Sequence, residues 1–232
     1  MWVGRLRMAW QAIGTVSLRG VIMAQGKHSG PLGDVYAASN AAEIAEIYDR
    51  WSISYDDYME RSGYRHPAVC VGLLARHVPA GALPVMDAGA GTGLIGELMN
   101  IIGYRHIDGI DISAGMLDRA REKGVYRDLH VADLTQPLDL PKASYRAIIS
   151  SGVFTTGHVG GEGLHNLVGL CRPGGHIVMT VKAPIWNDDV RHVVDRLEKD
   201  GKARLLEQTE PYISIVGEAE MVPGLAIVLE RL

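Results

Sequence analysis

At 232 residues, 47% of them hydrophobic and 22% charged, the chain is sized and composed for one well-filled α/β domain and excludes a disordered or membrane-embedded protein. A formal net charge of −4 argues against a general nucleic-acid binder, which carries a basic field. The two cysteines, Cys70 and Cys171, lack any ligand spacing, so they offer neither a disulfide framework nor a zinc site and place the expected home in a reducing cytoplasm.

Residues 1–33 carry Arg5, Arg7, Arg19 and Lys27 but no acid. They read as a loosely ordered extension ahead of the domain, with an amphipathic targeting segment as the alternative. Their apolar stretch, Met8 to Leu18, is too short and too polar to span a bilayer. From residue 34 to residue 232 the pattern is that of a single domain. Asn40 with Glu43 resembles a capping box opening a helix. Ile44, Ile47, Tyr48, Trp51, Tyr55 and Tyr58 then fall near one face at spacings of three and four, with Trp51 expected in the core. A second helix is predicted from His66 to His77, since Pro67 suits a first turn. Together these make a helical lid over residues 40–78.

A short strand, Leu83 to Met86, runs into Asp87 and a glycine-rich turn, followed by a helix with Ile95, Leu98, Met99 and Ile102 on one stripe. The second strand is Ile107 to Asp111, and the next helix is capped by Ser113 with Met116, Leu117 and Ala120 inward. Leu129 to Ala132 and Tyr145 to Ile149 read as the third and fourth strands. Leu164, Leu167, Val168 and Cys171 mark a helix ended by Pro173-Gly174-Gly175, and His176 to Val181 suits a buried central strand. Asn187 is expected to cap a helix whose positive first turn holds Asp188 and Asp189, with Gly201 as its stop. Ala203 to Leu206 and Leu225 to Leu229 supply the last strands. Such alternation implies a Rossmann-like, doubly wound, mostly parallel sheet.

The informative stretch is Asp87-Ala88-Gly89-Ala90-Gly91-Thr92-Gly93. A parallel strand entering a glycine turn and then a helix lets backbone N–H groups approach a ligand, because no Cβ blocks them. Asp111 ends the next strand at the separation where a carboxylate receives ribose hydroxyls, and Asp133 follows the third, where a polar group reaches an adenine edge. Dinucleotide folds prefer G-x-G-x-x-G, which would need a glycine at Leu94. The third glycine is Gly93 instead, which sets an NAD-dependent oxidoreductase behind.

The compact Gly89-Gly91-Gly93 pattern behind Asp87 resembles motif I of class I S-adenosylmethionine (SAM)-dependent methyltransferases. Tyr48-Asp49-Arg50-Trp51, Tyr55-Asp56, Gly63-Tyr64 and Thr209-Glu210-Pro211-Tyr212 are similar to the Williams–Beuren syndrome region methyltransferase-like family. That resemblance implies a seven-stranded sheet of order 3-2-1-4-5-7-6 with the last strand antiparallel, and SAM as cofactor. It also implies that Asp87, Gly89, Ala90, Gly91 and Gly93 form the cofactor loop, with Gly89 and Gly91 beside the methionine moiety. By the same resemblance Asp111 binds ribose, Ile112 and Met116 flank adenine, Asp133 and Leu134 face its edge, and Ser150 and Ser151 lie nearest the sulfonium.

Tyr55 and Tyr64 are the lid aromatics expected to line the site, since rings facing a sulfonium attract it. His158, in the loop after the fourth strand, is the candidate general base, against the alternative of a structural loop histidine. No metal is expected. Strand four ends Ser150-Ser151-Gly152-Val153, unlike the Asn/Asp-Pro-Pro-aromatic motif of many amino methyltransferases, and no G-x-S-x-G elbow suggests a hydrolase. The expected activity is methyl transfer to an O, N or S nucleophile of a small molecule, by a monomer or homodimer that binds neither nucleic acid nor membrane. The alternatives are a protein or RNA methyltransferase of the same fold and a non-enzymatic SAM-binding protein. The lid, the His158 loop and the stretch from Tyr212 to Gly224 are the surfaces expected to choose the acceptor.

Overall fold

The computed structural model describes residues 30–216 and 222–232, so the expected N-terminal extension lies, up to residue 29, outside the described residues, as does the centre of the Tyr212–Gly224 stretch. Helix α1 (Pro31–Ala37) begins two residues before Gly33. Helix α2 (Ala41–Trp51) starts where the capping pattern places it: Asn40 Oδ1 accepts the Glu43 N–H at 3.0 Å, while the Glu43 carboxylate reaches back to the Ser39 N–H at 2.8 Å. A tight turn at Ser52–Ser54 separates it from α3 (Tyr55–Arg61), so the aromatic stripe bends through two helices rather than following one. Helix α4 (His66–His77) has Pro67 in its first turn, where a missing N–H costs nothing.

Seven strands follow: β1 (Val85–Ala88), β2 (Ile107–Asp111), β3 (Tyr126–Val131), β4 (Tyr145–Phe154), β5 (Cys171–Lys182), β6 (Ala203–Gln208) and β7 (Gly224–Arg231). They form one sheet in the order β3-β2-β1-β4-β5-β7-β6. β1 to β5 pair in parallel, and β7 runs antiparallel to both neighbours. Between them lie α5 (Leu94–Ile101), α6 (Ala114–Glu122) and α7 (Gly161–Leu170), and β5 leads into α8 (Ala183–Ile185), a wide turn over Trp186–Val190 and α9 (Arg191–Lys199).

The sheet is buried on both sides because its central strands are predominantly apolar, with period two dividing the residues between faces. Ile148, Ile177, Met179, Ile227 and Leu229 pack with Leu164 and Leu167 of α7 and Val193 and Leu197 of α9. Ala147, Ile149, Val178, Ala226 and Val228 pack on the other face with Cys70 and Leu74 of α4 and Met99 of α5. A third cluster holds the lid together around Trp51, with Leu32, Val35, Ile47, Met59 and Ile215.

Several elements depart from the sequence-based expectation. Leu98 and Ile102 are exposed, because α5 buries only Ile95, Gly96 and Met99 and ends before Ile102. The helix expected to start at Asn187 starts at Ala183, and Asn187 sits inside the wide turn. Asp189 serves another helix: its carboxylate accepts the Gly161 N–H at 2.5 Å, at the positive end of α7. β4 continues five residues past Ile149, so it takes in the expected Ser150–Val153 tip and also Phe154, expected in the following loop. Among the described residues no helix is long and apolar enough to cross a membrane.

Candidate active site

The strand order reverses between β1 and β4, and open α/β sheets bind ligands at such a point, beyond the carboxyl ends of the strands. A cavity of about 340 Å³ lies there. Its floor is Gly89, Gly91 and Asp111, one wall is Ile112, Met116 and Ala132–Thr135, and the other is Ser151–Val153 with Gly157–Val159. The roof is the lid: Asn40, Ala41, Ile44, Tyr48 and Tyr55.

Two glycines need their missing side chains. Gly89 has φ 83°, and a Cβ there would stand 2.1 Å from Val153 Cγ2, so the first turn residue slides under β4 only without a side chain. Gly91 has φ 54°, yet a Cβ there would meet nothing within 4 Å; its bareness leaves the cavity open. The Gly91 N–H donates to Asp111 Oδ2 at 2.8 Å and the Ser113 N–H to Asp111 Oδ1 at 2.9 Å. Burial raises the Asp111 pKa, while the backbone N–H groups of Ser113 and Gly91 pull it back.

The lid is latched to this floor by two acids. Asp49 Oδ1 accepts the Ser113 hydroxyl at 2.6 Å and the Gly115 N–H at 2.8 Å, at the N-terminal end of α6. Asp56 accepts the Thr92 hydroxyl, and Lys123 Nζ spans Asp56 at 2.9 Å and Glu97 at 2.6 Å. Both acids sit in the aromatic motifs of the N-terminal segment, but sequence gave them no role. They fall on the polar shoulders of short helices, and no periodicity says what such a shoulder touches.

The remaining expected residues divide. Gly89, Gly91, Asp111, Ile112, Met116, Asp133, Leu134, Tyr55 and His158 all line the cavity. Asp133 Oδ1 also closes its own turn, accepting the Thr135 N–H at 2.8 Å and hydroxyl at 2.7 Å. Asp87, Ala90, Gly93 and Ser150 do not line it. Asp87 is buried beneath the loop and its Oδ2 accepts the Tyr126 hydroxyl at 2.6 Å, so it braces the turn from below. Burial pushes its carboxyl up to about 7, against the pull of that hydroxyl. Ala90 is buried, Gly93 caps α5, and the buried Ser150 donates to the Ala88 carbonyl at 2.7 Å, because alternate strand residues face opposite ways. Ser151 takes the cavity position instead. Trp51 is core, stacked beside Tyr48 and met edge-on by Tyr55.

Tyr64 lies in a smaller chamber behind the cavity, of about 40 Å³, which shares Tyr48, Tyr55, Gly152 and His158 with it. Gly152, at φ 74°, admits the Tyr64 hydroxyl where a Cβ would collide. His158 stands at the junction with its ring 5.7 Å from Tyr36 and 6.3 Å from Tyr48. Burial lowers its pKa to about 4, so the ring is neutral near pH 7. Among the described residues no group of three or more His, Cys, Asp or Glu side chains is placed to hold a metal ion.

Residues 85–175 match the family described as "Methyltransferase domain". The chain is 31% identical over 194 residues to methyltransferase-like protein 27 of Homo sapiens, covering 77% of this chain and 78% of that protein. It is 30% identical over 167 residues to malonyl-[acyl-carrier protein] O-methyltransferase of Yersinia pestis, covering 66% of this chain and 59% of that one. Among solved structures, the TehB-like SAM-dependent methyltransferase from Corynebacterium glutamicum shares the fold with a TM-score of 0.60 at 19% identity, covering 81% of this chain and all (100%) of that one.

Proposed function

Because the chain belongs to the class I methyltransferase family, we propose that it transfers the methyl group of SAM to an oxygen, nitrogen or sulfur nucleophile of a small molecule. The observation that carries this reading is the juxtaposition of Asp111 and the open Gly91 backbone at the floor of a lidded cavity. The cavity suits the cofactor: it has the volume of a small-molecule site, a carboxylate for two hydroxyls and apolar walls at Ile112 and Met116 for a flat base. Gly89 and Gly91 would lie along the methionine part, Asp111 would hold the ribose, and Asp133 and Leu134 would face the adenine edge.

When bound, the cofactor supplies an electrophilic methyl carbon on a positive sulfur. The chain's own part is to hold the nucleophile in line and to keep water away. The lid performs the second task, with Ile44, Tyr48 and Tyr55 closing the cavity from above. A lidded cavity favours a small acceptor over a macromolecule, and the O-methyltransferase name of the Yersinia pestis relative supports an oxygen nucleophile. His158, at the junction of cavity and chamber, is the base proposed for a protic acceptor. The narrower kinship with the Williams–Beuren syndrome region methyltransferase-like family rests on Tyr48–Trp51, Gly63-Tyr64 and Thr209–Tyr212. Two buried free thiols, Cys70 and Cys171, support a cytoplasmic home.

The test is calorimetric titration with S-adenosylhomocysteine of the wild type beside Asp111→Ala. Micromolar affinity in the wild type, about 8 kcal/mol, and a large loss in the variant are expected. A folded wild-type chain that binds no S-adenosylhomocysteine would remove the proposal.

A further inference from the structure

The small chamber behind the cavity has an unusual donor balance. Among the described residues, its polar side chains include Tyr64, His66, Thr155, His158, Thr180 and Lys182, and no Asp, Glu, Asn or Gln lines it. Every polar side chain there is able to donate a hydrogen bond, and none is acceptor-only. Lys182 also lines the chamber, and its Nζ donates to the Val222 carbonyl at 3.1 Å. Two groups are buried without a protein partner: Thr155 Oγ1, in a side chain more than nine-tenths buried, and His158 Nε2. Buried polar atoms are rarely left unpaired, and these two belong to residues three apart on one turn, where the His158 N–H donates to the Thr155 carbonyl at 3.1 Å.

The chamber's about 40 Å³ has room for roughly three water-sized groups, by the volume one water needs. A carboxylate is three heavy atoms, and its two oxygens accept and never donate. Among the described residues that line the chamber, an ammonium would find no carboxylate to pair with.

Resting on the methyltransferase reading above, we propose that the methyl acceptor is a carboxylic acid, whose carboxylate enters this chamber past Gly152 and accepts hydrogen bonds from Thr155 Oγ1 and His158 Nε2. Its body lies back toward the tyrosines of the lid, Tyr48 and Tyr55, which wall both spaces. One carboxylate oxygen forms the new bond to the methyl carbon as the carbon–sulfur bond breaks, and the electron pair of that bond stays on sulfur. Negative oxygen and positive sulfur become a neutral ester and a neutral thioether. No proton moves, so with a carboxylate acceptor His158 serves as a donor, and the base role proposed for a protic acceptor is not called on. The opposite charges cancel in the transition state, which favours reaction in a closed, dry site.

The test uses the full chain saturated with S-adenosylhomocysteine, titrated with benzoate, benzamide and benzylamine while the His158 ring nitrogens are followed by NMR. These probes share a ring and differ in charge and donor content. Benzoate is expected to bind at least tenfold more tightly than the other two and to shift Nε2. Thr155→Val should weaken benzoate about tenfold with S-adenosylhomocysteine affinity kept within twofold. Equal binding of benzamide, a preference for benzylamine, or no binding of any probe to the loaded chain overturns the carboxylate assignment alone. Failure of S-adenosylhomocysteine itself to bind overturns the donor reading, and this one with it.

Discussion

Replacing Gly89 by alanine places two penalties on one atom. The residue sits at φ 83°, where an L side chain costs about 1–2 kcal/mol. Its new Cβ would stand 2.1 Å from Val153 Cγ2, an overlap that β4 relieves only by moving, at about 1–3 kcal/mol. The sum is about 2–5 kcal/mol, which for a chain of this size lowers the melting temperature by about 4–20 °C. The two penalties separate in a double-mutant cycle with Val153→Ala, because truncating the valine removes the overlap and leaves the backbone strain. Urea unfolding of wild type, both single variants and the double variant should give a favourable coupling of about 1–3 kcal/mol, the size of the overlap. Gly91→Ala supplies the contrast. It carries a similar strain at φ 54° with open space around the new methyl, so it should lose less stability but clearly weaken S-adenosylhomocysteine. A Gly89→Ala variant within 0.5 kcal/mol of wild type, or strict additivity with Val153→Ala at about zero coupling, would refute the reasoning.

Asp49→Ala removes two charge-assisted hydrogen bonds that hold the lid on α6; partly exposed, they should be worth about 1–2 kcal/mol together, so stopped-flow S-adenosylhomocysteine release should speed up about 5–30-fold. Asp108 is buried and accepts from Arg127 Nε and Nη2, at 2.9 and 2.5 Å, as well as from the Tyr145 hydroxyl at 2.9 Å. Asp108→Ala should therefore cost about 2–4 kcal/mol in denaturant unfolding, discounted for the half-exposed Arg127. The Asp87 carboxyl, raised to about 7 from 3.8, makes the native state bind more protons than the unfolded chain between those values. Its contribution to stability is full below about pH 4 and is lost as pH rises toward 7. Asp87→Asn should thus be the more stable protein at pH 8, by on the order of a few kcal/mol, with the advantage vanishing at pH 4 when unfolding is measured across that range.

Much of the architecture was legible in sequence because it rests on local periodicity and turn chemistry. The Asn40 and Ser113 caps, the Pro67 start and the apolar runs of β4, β5 and β7 depend on neighbours within a turn or on burial of a whole strand, while the order of the strands in the sheet came from the family resemblance. The glycine turn, Asp111 and Asp133 were legible for the same reason: each lies at or just beyond the end of a strand, at the rim where the fold places a ligand. What sequence could not show was direction. Asp87 and Asp111 both lie at the carboxyl ends of strands, yet one braces the turn from beneath against Tyr126 and the other faces the cavity. Ser150 and Ser151 are adjacent, and the strand's pleat alone decides which is buried.

Asp49, Asp56 and Asp189 acquired their partners only from tertiary packing, through contacts 64, 36 and 28 residues away along the chain. The inner chamber is likewise a product of assembly, drawn from α1, the lid, the end of β4, β5 and the segment around Ser214. Sequence by itself determined the elements, their order and the cofactor rim, because those follow from residues near one another or from one strand's burial. The latch, the chamber and the side each carboxylate faces were decided by the tertiary structure, because hydrogen bonds and donor balance depend on which distant side chains meet.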